Sequence, residues 1–195
     1  ITAGGHGLLW EAPFPPVITE VRPDDIVVTP PSPSGTWATS KDAPVISDNV
    51  VKSALASFPT NPALASVGVF VGANVILRNN TVSGFNVGVV TGGNALLQGN
   101  IITGNQIGIL IVSCCPDLGG GARGSLGGNI IQNNAITGVK ILPNIGTISA
   151  LGNTWNASVQ GTNTAGKFTM AQTITGPLNG TNFVVGAGSA VRVGP

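Results

Sequence analysis

The sequence predicts an all-β chain wound as a single-stranded parallel β-helix of about 20 residues per coil, with an extended Pro-rich N-terminal arm. Three observations lead there. Short apolar segments flanking Asn recur at near-constant spacing between residues 75 and 155. The 195 residues include 29 Gly and 14 Pro, with abundant Asn, Thr and Val, which favour turns and strands over helices. Only 8% of residues are charged and 42% are hydrophobic, yet no apolar run approaches the roughly 18 residues that cross a bilayer. A net charge of +1 without Arg or Lys clusters offers no pull toward nucleic acid or anionic lipid, so neither nucleic acid nor membrane insertion is expected.

The arm comes first. Residues 1–60 contain "APFPPVITEVRPDDIVVTPPSPSG", which is Pro-rich and lacks the period. Proline blocks central strand pairing, so any strand here should lie at a sheet edge. The opening "ITAGGHGLLW" reads as a processed end, and the scarcity of charge suits a secreted, extracellular or cell-surface protein. The apolar anchors Leu8, Leu9, Trp10 and Phe14 predict that the arm inserts into a groove, on its own β-helix or on a neighbouring copy. The stretch "SDNVVKSALASF" predicts one short helix capped by Ser47 or Asp48, closing a first coil that would otherwise expose unpaired strand edges. Residues 1–60 carry a net charge of −3 and residues 61–195 of +4, so the two parts attract.

The β-helix is expected over residues 61–195. Aligning on Asn produces four copies: Leu77-Asn80-Val82, Leu97-Asn100-Ile102, Ile131-Asn134-Ile136 and Ala150-Asn153-Trp155. The long second interval contains "SCCPDLGGGARGSLGG", so a Gly-rich insertion at 113–128 restores the period. Coils stack at about 4.8 Å, which brings equivalent side chains into rows. Leu77, Leu97 and Ile131 then form one internal row, and Val82, Ile102 and Ile136 a second. Val87 and Val89, Ile107 and Ile109, and Val139 and Ile141 supply a further strand. Asn80, Asn100, Asn134 and Asn153 fall at corners, where Asn tolerates a left-handed backbone and its amide can bond to the Asn one coil away. Trp155 occupies an inward position and is expected in the core. The segments "KFTMAQTITG" and "TNFVVGAGSAVRVG", separated by "PLNG", alternate like strands and should finish or cap the solenoid.

Adjacent Cys114 and Cys115 admit three readings: a bond between the two in a tight ring, two packed thiols, or disulfides to neighbouring subunits. Further ligands for a zinc site are missing from their surroundings. "LGGGARGSLGG" lacks the Gly-Lys-Ser/Thr ending of a phosphate loop and reads as a loop that leaves the coil and returns.

Catalysis is hard to place. Glycosidase chemistry needs paired carboxylates and calcium needs several, but residues 61–195 hold Asp117 alone. The single His, His6, lies in the arm. Thr-x-Thr at 162–164 and 173–175 does not recur at the coil spacing, which argues against a regular ice-binding array.

The stretch "CCPDLGGGARGSLGGNIIQNN", followed by "ISALGNTWNASVQG", resembles an uncharacterised family of bacterial right-handed parallel β-helix domains in the pectate-lyase-like superfamily. The resemblance covers roughly residues 65–185 and leaves out the Pro-rich arm. It implies a right-handed β-helix and a secreted or envelope location, and it brings no catalytic residues. The expectation is a non-catalytic structural protein, without cofactor or metal. Copies would assemble through Leu8, Leu9, Trp10, Phe14, Cys114 and Cys115 into a filament or surface layer. The alternative is a carbohydrate-binding or polysaccharide-degrading β-helix with Trp37 as a stacking platform.

Overall fold

The computed structural model describes residues 2–3, 6–10, 26–27, 43–53 and 66–195. Its strands form three sheets. Sheet A orders β1 (Thr2–Ala3), β5 (Val50–Ser53), β8 (Thr81–Ser83), β11 (Ile101–Thr103) and β14 (Ile130–Gln132). Sheet B runs from β3 (Ile26–Val27) through β2 (His6–Trp10), β6 (Val67–Val71), β9 (Val87–Thr91), β12 (Ile107–Ile111), β15 (Thr137–Ile141) and β19 (Phe183–Val185) to β18 (Leu178–Asn179). Sheet C runs from β4 (Val45–Ser47) through β7 (Ile76–Arg78), β10 (Leu96–Gln98), β13 (Asp117–Gly119), β16 (Gly146–Ala150) and β20 (Ser189–Val193) to β17 (Gln172–Thr175). Apart from the antiparallel β17 and β18, the pairings are parallel, and the chain visits C, A and B in turn. This is a parallel β-helix.

Strand alternation sends every second side chain inward, and register stacks them. On sheet A, Val51, Val82, Ile102 and Ile131 pair in sequence and each is fully buried. On sheet C, Ile46 pairs with Leu77 and Leu77 with Leu97. On sheet B, Val69, Val89, Ile109, Val139 and Phe183 form one column. Burying each such aliphatic is worth about 1.5–3 kcal/mol. The C-terminal end of the core is closed by aromatics: Trp155 is buried, as expected, its ring 4.5 Å from that of Phe183, with Phe168 at 6.1 Å from Phe183.

Two expected rows change. Ile131 does not stack with Leu77 and Leu97; it pairs with Ile102 and belongs to the second row. Ile136 is not in a core row at all but is 57% exposed. The cause is a misplaced corner. The Asn one coil above Asn100 is Asn129, whose Oδ1 accepts from Asn100 Nδ2 at 2.9 Å. The Gly-rich excursion therefore starts later than expected: Asp117–Gly119 still pairs in sheet C, and the detour occupies residues 120–128. Over residues 47–53 the predicted helix is also replaced, since Val45–Ser47 and Val50–Ser53 are strands and Asp48 makes the turn between them with φ 62°, while the rest of that stretch lies outside the described residues. Val51 and Ile46 enter the core rows there, and those contacts outweigh local helix propensity.

Thr2–Ala3 pairs with β5, and His6–Trp10 with β6. Topologically these two strands extend sheets A and B by one coil, and β3 adds a further edge beside β2.

Candidate functional site

The corner between sheets C and A carries an Asn ladder. The side-chain amides of Asn49, Asn80, Asn100 and Asn129 each donate to the Oδ1 of the next member, the last being Asn153, at 2.9–3.2 Å. Each of those Oδ1 atoms also accepts the backbone N–H of the Asn below. The bond between Asn residues of adjacent coils is thus present as the sequence suggested. The left-handed backbone is not at these residues. It falls one place earlier, at Asp48, Asn79, Gly99, Gly128 and Gly152. Asn134 belongs to a second ladder at the next corner, where its Oδ1 accepts from Asn105 Nδ2 at 3.1 Å.

Beside that second ladder runs a glycine column the repeat alignment missed. A Cβ on Gly88 would lie 2.7 Å from Asn105 Nδ2 and 2.7 Å from the Gly108 carbonyl oxygen. Gly68, Gly108 and Gly138 occupy the same place in their coils. An apolar-Gly-apolar or Thr-Gly-Val triplet in each coil was the available signal.

The third corner, from sheet B to sheet C, takes four residues after β6, β9 and β15 but five after β12. Cys114 and Cys115 sit in this longer corner and are bonded to each other. Of the three readings this is the internal ring. Cys114 is exposed, whereas Cys115 packs against the core cluster.

Beside this corner, on the outer side of sheet C, lies an open cleft of about 450 Å³. Asp117 builds one wall. Its carboxylate is 2% exposed and accepts the backbone N–H groups of Gly119, Gly121, Arg123 and Ser125 at 2.9–3.2 Å. Four donors around one carboxylate wrap residues 119–125 into a fixed loop, and Ser125 Oγ ties it to the Leu97 carbonyl at 2.8 Å. The loop delivers Arg123, whose Nη1 donates to Asn74 Oδ1 at 3.1 Å and to the Asn94 carbonyl. Thr147 and Ser149 on β16 and Arg192 on β20 form the floor and far side. The sequence marked Asp117 as isolated but did not show that both its oxygens are spent on the backbone.

The remaining candidates lie elsewhere. Leu8, Leu9 and Trp10 fall in β2, which pairs with β6 of the same chain. Phe14 and Trp37 lie outside the described residues. Among the described residues, no three His, Cys, Asp or Glu are grouped to hold a metal ion.

Residues 27–160 match the model of a family described as protein of unknown function, DUF1565. The chain belongs to this family. The match begins within the Pro-rich segment and stops before β17, so it covers the first residues of the resemblance and more, but not the C-terminal strands. No curated protein and no solved structure matches the chain.

Proposed function

We propose that this DUF1565 chain is a non-catalytic, secreted structural β-helix that associates with copies of itself. The observation carrying the reading is an aliphatic column on the outer face of sheet A. Val50, Thr81, Ile101 and Ile130 pair in register, with Thr154 bridged to Ile130. Val50 is 57%, Ile101 39% and Ile130 36% exposed. At about 4.8 Å per coil the column is about 19 Å long. Beside it run Lys52, Ser83, Thr103 and Gln132, a row with a single charge. Water covers such a face at a cost, and a like face removes that cost. Like faces make a closed contact between two copies, and the opposite net charges of residues 1–60 and 61–195 favour a second, head-to-tail contact that does not close and can propagate. The arm is not needed as the bridge, since β2 pairs within its own chain. The role of Asp117 as a loop clamp further supports a scaffold over an enzyme.

Sedimentation velocity and electron microscopy over a wide concentration range test this. Assemblies that grow with concentration and disappear in an Ile101→Lys, Ile130→Lys double variant are expected. Monomers at every concentration would refute it. The polysaccharide alternative would appear as glycan-array binding by the monomer.

A further inference from the structure

The cleft on sheet C has features that self-association does not use. Two guanidinium groups line it, Arg123 from the loop and Arg192 from β20. Arg123 is held before any ligand arrives, because its backbone N–H rests on Asp117 and its Nη1 on Asn74 and Asn94. With Nη1 committed, the Nε and Nη2 donors have no partner among the described residues and can meet an acceptor, and a guanidinium edge matches an oxyanion in bidentate fashion. Arg192 is exposed, paired in register with Ser149, and no carboxylate bridges it among the described residues. The acid in the wall, Asp117, is buried and its charge is met by four backbone N–H groups, so the cationic side chains dominate what a solute encounters. Cys115 and Pro116 complete the wall with apolar surface.

We infer that this cleft binds a small ligand bearing an oxyanion, a carboxylate, sulfate or phosphate, which pairs with Arg123 and Arg192 while its body rests against Cys115 and Pro116. The site is independent of the aliphatic column on sheet A.

Isothermal titration of the full chain at low ionic strength with sodium acetate, sulfate and phosphate tests the inference and separates the three anions. Saturable binding of at least one is expected. Arg192→Gln should weaken it about ten-fold, the loss of one charge-assisted contact, and Arg123→Gln by at least as much. Lys140→Gln, a cation on sheet B, should leave binding unchanged. Should Arg123→Gln fail to fold, Arg192→Gln decides alone, because its exposed side chain can be replaced without disturbing the core. Absence of saturable binding up to roughly 0.1 M, where screening removes surface attraction, would overturn the site. Equal weakening by Arg192→Gln and Lys140→Gln would do the same, since it would show diffuse charge rather than a built cleft. Either failure leaves the association assay of sheet A untouched.

Discussion

Replacing Asn100 by Ala probes the ladder at its centre. Asn100 is fully buried. Its Oδ1 accepts the Asn80 backbone N–H at 3.0 Å and Asn80 Nδ2 at 3.2 Å, and its Nδ2 donates to the Leu77 carbonyl and Asn129 Oδ1, both at 2.9 Å. Truncation strips the Asn80 N–H of its acceptor outright. The other three groups each lose one of several partners: Asn80 Nδ2 keeps the Ile46 and Arg78 carbonyls, and Asn129 Oδ1 keeps the Asn100 N–H. One orphaned buried donor costs about 1–3 kcal/mol and each further lost bond about 0.5–1.5 kcal/mol. The sum is about 2.5–7.5 kcal/mol, a large share of the roughly 5–15 kcal/mol that holds a typical domain. Urea unfolding followed by circular dichroism should show the midpoint fall accordingly. Asn79→Gly, one residue before the neighbouring ladder member, is the control. Asn79 is exposed with φ 55°, its amide bond to Asp48 Oδ1 is long and open to water, and the next coil already uses Gly99 there, so a change within about 0.5 kcal/mol is expected. An Asn100→Ala variant as stable as its parent, or an Asn79→Gly variant equally damaged, would show that the ladder does not hold the coils.

Two glycines should behave oppositely. Gly88→Ala drives a methyl into a backbone oxygen and an amide that cannot retreat, at a cost of about 1–3 kcal/mol, whereas Gly104→Asn meets nothing within 4 Å at a φ of 67° that Asn tolerates and should unfold at nearly the parental urea midpoint. Thr91→Val should raise the melting temperature. Among the described residues the buried Thr91 hydroxyl, in a column with Val71, Ile111 and Ile141, has no hydrogen-bond partner, and its removal is worth about 1 kcal/mol. The Asp48 carboxyl is held below its ordinary value of 3.8 by hydrogen bonds from Ser47 and Asn79, with a smaller contribution from Arg78. A folded value below the unfolded one means that this stabilisation is present above about pH 3.8 and is lost as pH falls through the folded value. Asp48→Asn should therefore flatten the acid limb of a stability-against-pH curve.

Sequence alone determined the architecture and most of the core. Leu77 over Leu97, Val82 over Ile102 and the sheet B strands that carry Val89, Ile109 and Val139 were legible because a solenoid repeats one environment per coil, and that repetition is written as spacing. It also singled out Asp117 and the joined cysteines, though not their partners. Tertiary structure decided the register beyond the insertion. Asn serves both at the corner of Asn100 and at that of Asn105, so an alignment anchored on Asn could slip from Asn129 to Asn134, while the column of Gly68, Gly88, Gly108 and Gly138, with backbone oxygens packed against it, would have fixed the register. The cleft was likewise beyond reach of the sequence. Arg123 and Arg192 are 69 positions apart, and only the wrapping of residues 119–125 around a buried carboxylate turns the first of them toward the strand that carries the second.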